Sequence, residues 1–215
     1  MKDVPDISSD LQLAAAKGRE IIQALERLVG EVEQAQSDAA RLVAAGKIRE
    51  VAQTFQLAQK HYHAALQRDP GSLEAKARLA ILYTKQRRRP TALKTALEVA
   101  QQNAKFKFSD ITGRPRSVQT VLGDTHRENG NAEDAKTAYA AALKLQSSDD
   151  YAAFRLAQLY LGSGDVAAAQ SLAKKMGDHS EFAELNAALR LVNVGSGPGM
   201  GRIIADLTSK FGGAV

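Results

Sequence analysis

Ala58, Ala92, Ala135 and Ala169 lie 34, 43 and 34 residues apart; Tyr62, Ala96, Tyr139 and Ala173 keep the same intervals, and so do Ala65, Val99, Ala142 and Met176. A fixed period of this size means that one supersecondary unit is stacked on itself, and 34 residues is the length of two helices and a turn. Composition agrees. The chain has 5% aromatic residues, no Trp and five Pro, which suits close-packed helices rather than sheets built on aromatic and β-branched strands. The expected class is all-α. With no cysteine there is no disulfide framework, thiolate metal site or cysteine nucleophile.

Residues 1–9 carry Lys2, Asp3, Pro5 and Asp6 with no apolar run behind them, so they read as a flexible N-terminus rather than a secretory signal. No stretch approaches the ~20 apolar residues of a membrane span. The expected compartment is the cytoplasm; the alternative is a soluble domain of an exported or anchored protein whose signal or anchor is absent. A net charge of +5 over 215 residues permits an acidic partner without demanding nucleic acid.

Ser8, Ser9 and Asp10 offer N-cap side chains, and Ile21, Leu25, Leu28, Val32, Ala35, Ala39 and Leu42 follow at steps of 4, 3, 4, 3, 4 and 3. This spacing predicts one long helix over 10–45, roughly 54 Å at 1.5 Å per residue. Its seam must pack on the rest of the chain or pair with a second copy. Gly46 is the expected break before the next apolar stretch, Ile48 to Leu66, which ends at Pro70-Gly71.

The segment AQKHYHAALQRDPGS, with Ala58, Tyr62, Ala65 and Pro70 in order, resembles the second helix and exit turn of a tetratricopeptide repeat. The best complete match is VLGDTHRENGNAEDAKTAYAAALKL, carrying Leu122-Gly123, His126, the Gly130-Asn131 turn, Ala135, Tyr139 and Ala142. A fourth repeat supplies Leu156-Ala157, Tyr160, Gly164-Asp165, Ala169, Ala173 and Met176, and a second Leu79-Ala80, Tyr83, Ala92, Ala96 and Val99. The resemblance implies a right-handed superhelix of helical hairpins, with a repeat domain over 46–194. Small residues belong where helices cross closely, with a large residue filling the gap beside them.

Repeat one departs from the pattern, with Arg49 at the aromatic position and Gln53-Thr54 in place of a Gly-Asp turn; it reads either as a hairpin or as one continuous helix. Repeats two and three are separated by an insertion over 105–115, KFKFSDITGRP, too polar and broken for a stack helix. A capping helix is expected over 181–194, with Phe182, Leu185, Leu189 and Val192 on one face, because a solenoid must cover its last apolar edge. Residues 195–215 read as a flexible tail in which GRIIADLTSKF forms a short helix.

No catalytic constellation is found. His61 and His63 point apart on a helix, His126 sits at a packing position, and His179 stands between capping residues. No metal and no cofactor are expected. In such a stack the first helix of each repeat lines the inner groove. The register places there Ala77, Arg78, Ile81 and Lys85, then Thr120, Asp124, Arg127 and Glu128, then Tyr151, Phe154, Arg155 and Gln158. Of these, Arg78, Ile81, Lys85, Arg127, Tyr151, Phe154, Arg155 and Gln158 form the candidate partner-binding groove, since rigid aromatics beside arginines suit an interaction hot spot. Some tetratricopeptide proteins hold a terminal carboxylate with a fixed set of Lys, Asn and Arg; the matching places hold Val43, Lys47, Arg78, Ser117 and Val121, so that clamp is not expected. A second candidate is a basic patch of Arg87, Arg88, Arg89, Lys105, Lys107, Arg114 and Arg116, with Phe106 and Phe108 interleaved for stacking.

The expected function is a non-enzymatic scaffold or adaptor that takes an acidic and apolar segment of another protein into its groove. The alternatives are a structural protein that self-assembles through the N-terminal helix or the tail, and a basic-patch binder of acidic protein, lipid or nucleic acid. The moderate net charge argues against a dedicated nucleic-acid role.

Overall fold

The computed structural model describes residues 8–176, with side chains over 15–174. The capping helix expected over 181–194, the tail 195–215 and residues 1–7 of the expected flexible N-terminus lie outside the described residues. Two compact units are distinguished, one within Met1–Leu79 and Ser109–Arg114, the other within Ala80–Phe108 and Pro115–Val215.

The first unit opens with α1 (Ser8–Gln34), α2 (Asp38–Val51) and α3 (Phe55–Arg68), followed by the start of α4 (Leu73–Lys85). The single helix expected over 10–45 is therefore two helices. Ser37 is extended, with φ −141°, and its side chain accepts the Ala40 N–H at 3.1 Å, so it caps α2 while Asp38 sits in the first turn. The apolar seam divides with it: Leu28 is buried on α1 and Ala39 on α2, whereas Ile21 is 51% exposed. Gly46, expected to break a helix, lies inside α2. A Cβ there would stand 2.8 Å from Tyr62 Cζ, so glycine is what lets α3 approach.

Repeat one is a hairpin, and its turn follows the register. Gln53 and Arg87 have φ 56°, Gly130 φ 80° and Gly164 φ 79°, at sequence intervals of 34, 43 and 34. Each turn closes with the same pair of backbone bonds. The N–H groups of Thr54, Arg88, Asn131 and Asp165 reach back five residues, to the carbonyls of Arg49, Tyr83, His126 and Tyr160 at 2.9, 2.9, 2.9 and 2.8 Å. The left-handed residues donate at 3.0 Å to the carbonyls three residues back. This is the Schellman ending, which favours glycine. Gln53→Gly should therefore raise stability by about 0.5–1 kcal/mol, and Gly130→Ala should lower it by about 1–2 kcal/mol. Urea unfolding of the two variants checks both signs; a destabilised Gln53→Gly variant would show that the Gln53 side chain contributes more than its backbone costs.

The second unit contains the end of α4, α5 (Arg89–Gln102), α6 (Val118–Glu128), α7 (Ala132–Leu145), α8 (Asp150–Gly162) and α9 (Val166–Met176). Its core is built from the register residues: Ala135, Tyr139 and Ala142 pack with Ala152, Leu156 and Leu159, while Ala153, Ala157 and Leu161 pack with Ala169 and Ala173. The insertion over 105–115 forms most of a hairpin of two short strands, β1 (Lys107–Ser109) and β2 (Pro115–Ser117). Its tip is organised by Asp110, whose Oδ1 accepts the Thr112 N–H at 2.8 Å and the Arg114 N–H at 2.9 Å. Within the first unit, Arg27 donates to the Ile111 carbonyl at 2.9 Å and Arg78 to the Ser109 carbonyl. Two arginines thus tie the tip down by its backbone.

Candidate functional site: a basic cleft in the second unit

The end of α4 and the facing surfaces of α6 and α8 enclose a cleft of about 390 Å³, lined by Ile81, Thr84, Lys85, Arg87, Val121, Asp124, Arg127, Glu128, Tyr151 and Arg155. Ile81, Lys85, Arg127, Tyr151 and Arg155 of the expected groove meet here, because residues at matching register positions on successive first helices face one side. Four cationic side chains outnumber the two carboxylates, so an anionic group gains on entering.

Asp124 organises the floor. Its Oδ1 accepts the Tyr139 hydroxyl at 2.6 Å and the Tyr151 hydroxyl at 2.9 Å. Burial pushes the Asp124 carboxyl above its ordinary value, opposed by the Tyr139 bond, the Arg155 charge, the Tyr151 bond and the Arg127 charge. Burial, reinforced by the Asp124 charge, pushes both phenols up, so they remain neutral donors. Arg155 lies 4.9 Å from the Tyr151 ring centroid and 5.9 Å from that of Phe154, and donates to Gln158 at 3.0 Å. Although burial works against its charge, Tyr151 and Asp124 hold its pKa above the ordinary value. Phe154 and Gln158 thus flank and orient Arg155 rather than line the cleft. Phe154 also packs against the Ala153–Ala173 cluster.

Other expected groove residues lie elsewhere. Arg78 is 1% exposed, in the first unit, with Nη1 3.8 Å from Glu50 and Nη2 3.8 Å from Glu74. A guanidinium so enclosed serves the interior and is not presented to a partner. Ala77 and Thr120 are likewise buried; the Thr120 hydroxyl donates to Asp149 at 2.6 Å.

The residues of the expected basic patch differ in their surroundings. Arg87 lines the cleft, whereas the Arg88 guanidinium lies over the Tyr83 ring at 4.5 Å. Arg116 pairs with buried Asp149 at 2.9 Å and stacks over Tyr151 at 4.3 Å, so β2 covers one face of that aromatic. Arg89, Lys105, Lys107 and Arg114 are exposed. Phe106 and Phe108, read as bases' stacking partners, stack on each other with centroids 5.8 Å apart, and Phe108 is buried. His126 is largely buried, its Nδ1 3.8 Å from Asp134. Among the described residues, no group of three or more His, Cys, Asp or Glu could hold a metal ion.

The sequence reading missed the ionic chain of the first unit, in which Lys47 contacts Glu31 at 2.6 Å and Glu74 at 3.1 Å, with Arg78 next to Glu74 and Glu50. Its available signal was the helical spacing of Glu74 and Arg78, whereas the partners of Lys47 come from other helices.

Family models described as tetratricopeptide repeat match residues 52–108 and 120–176. The chain belongs to the tetratricopeptide repeat family. As a member it is a mostly helical interaction scaffold, built of the helical repeats expected from the register, with the β1–β2 hairpin as its departure from an all-α chain. Among solved structures it resembles that of pilF from Pseudomonas aeruginosa, at TM-score 0.60 and 18% identity, over 94% of this chain and 86% of that one. A tetratricopeptide protein from Thermus thermophilus aligns at TM-score 0.57 and 17% identity, over 80% of this chain and 89% of its own. Identities this low establish the fold alone. No curated protein matches the chain. Among the described residues no helix is long and apolar enough to cross a membrane.

Proposed function

We propose that this tetratricopeptide protein is a non-catalytic adaptor whose second unit takes a partner's segment, bearing acidic and apolar side chains, into the cleft of Lys85, Arg87, Arg127 and Arg155. The observation that carries the reading is the excess of cations around an apolar wall of Ile81, Val121 and Tyr151. Arg127 Nε and Arg155 Nε are buried without a hydrogen-bond partner, and a carboxylate would answer that need. The wall gives the segment's apolar residues somewhere to go, and the tyrosines, held by Asp124, cost little ordering on binding.

Fluorescence anisotropy with labelled peptides alternating Asp or Glu with Leu or Phe tests the reading against Lys or Arg counterparts. Acidic peptides should bind, with affinity falling as salt rises. Exposed Lys85, changed to Glu, should weaken them about tenfold or more. Equal binding of acidic and basic peptides, or an indifferent Lys85→Glu variant, would remove the cleft from consideration.

A further inference from the structure

α1 has two apolar faces. Ala24 and Leu28, 5% and 0% exposed, turn inward, with Arg27 and Glu31 on the same side. On the other face Ala15, Gly18, Ile22, Leu25, Val29 and Val32 follow at steps of 3, 4, 3, 4 and 3, the spacing that keeps one row of side chains against a partner helix. Ile22 is 56% exposed and Val29 48%, with Ile21 beside them at 51%. Of the five most exposed large hydrophobic side chains among the described residues, these are three. Soluble chains seldom leave such a row uncovered.

From this row we infer that the protein self-associates, two copies of α1 packing antiparallel about a two-fold axis between Ile22 and Leu25. The row is graded, with small residues toward its N-terminal end and branched ones toward its C-terminal end. Antiparallel pairing sets Ala15 against Val32, Gly18 against Val29 and Ile22 against Leu25 of the second copy. Each layer then joins a small residue to a larger one, or two large ones at the centre. Parallel pairing would oppose Gly18 to Gly18 and leave a hole. Nothing lies within 4 Å of where a Cβ on Gly18 would stand, so a branched side chain can enter there.

Charge favours the same arrangement. Arg19 and Glu26 are both exposed, stand on one flank of the row, and have no ion-pair partner among the described residues. Antiparallel packing brings each Arg19 to the other copy's Glu26, twice across the axis, and opposes the helix dipoles favourably. A row of six residues is short, so the association is weak and concentration-dependent.

Sedimentation equilibrium of the full chain, loaded from about 1 µM to about 1 mM, should show a monomer–dimer equilibrium. Ile22→Asp should weaken it at least about tenfold without loss of helical circular dichroism, since Ile22 is exposed. Arg19→Glu should also weaken it, and adding Glu26→Arg should restore it. Because the chain has no cysteine, a mixture of Gly18→Cys and Val29→Cys chains should oxidise to the mixed disulfide rather than to like pairs. A monomer throughout the range, a dimer indifferent to Ile22→Asp, or like-with-like crosslinks would overturn the inference. Peptide binding at the cleft is expected to be unchanged in all these variants.

Discussion

Arg78→Ala is expected to destabilise the first unit by about 3–5 kcal/mol, the usual cost of removing one partner from a buried ion pair. The Arg78 side chain is 2% exposed and Glu50 1%. The guanidinium serves both carboxylates and the Ser109 carbonyl. Glu50 also accepts the Tyr62 hydroxyl at 2.5 Å, and burial with the Glu50 charge pushes that phenol up. Without Arg78 the carboxylate keeps the cost of leaving water and loses the charge that offsets it. Arg78→Lys keeps the charge but not the planar fork, and should recover only part of the loss. Arg41 is the control: it sits 3.2 Å from Asp38, but the two side chains are 54% and 72% exposed, so Arg41→Ala should cost less than about 1 kcal/mol. Urea unfolding, with hydrogen exchange followed in α2 and α4, separates these outcomes. An Arg78→Ala variant as mild as Arg41→Ala would mean that water or rearranged side chains replace the guanidinium.

Arg78 also shows where the sequence stopped being legible. Arg78 and Arg155 occupy the same place in their repeats, and register alone sent both to the groove. Arg155 lines the cleft, while Arg78 is enclosed by Glu50, Glu74 and a hairpin carbonyl. Glu74 stands one turn away on α4, but Glu50 comes from α2 and the carbonyl from the insertion, so that part of the difference is non-local and no periodicity records it. The repeats themselves were readable because small and large residues at 34-residue spacing report directly on helix crossings. The turns were half readable: Gly130 and Gly164 announce left-handed backbone, whereas Gln53 and Arg87 adopt it at a local cost that tertiary packing sustains. The break between α1 and α2 had its signal in Ser37-Asp38, a cap followed by an acidic first turn. An apolar seam continuing through Ala35 and Ala39 argued the other way. Packing decided, since Ala39 is buried in α2 and Ile21 is exposed on α1.

The crossing inside each repeat gives the second large effect. Gly46, Ala80, Gly123 and Ala157 stand sixteen residues before Tyr62, Ala96, Tyr139 and Ala173, so glycine accompanies tyrosine and alanine accompanies alanine. In the third repeat a Cβ on Gly123 would lie 2.5 Å from Tyr139 Cδ1 and 2.8 Å from its Cζ. The ring cannot swing away, because Tyr139 is 0% exposed and its hydroxyl is held by Asp124. Gly123→Ala should cost about 1–3 kcal/mol through overpacking, even though alanine is the better helix former by about 1 kcal/mol. Tyr139→Ala alone should cost about 3–5 kcal/mol through its cavity and the donor lost to Asp124. In the double variant, which carries the alanine pair of repeats two and four, the methyl at 123 meets no ring. It should then be neutral or stabilising, so the two losses sum to about 1–3 kcal/mol more than the double variant shows. Gly30→Ala, with nothing within 4 Å of its added Cβ, should stabilise α1 by up to about 1 kcal/mol and calibrates the propensity term. Additive losses at 123 and 139 would mean that the backbone yields to the methyl, and that α6 and α7 cross as they do for some reason other than the space glycine leaves for tyrosine.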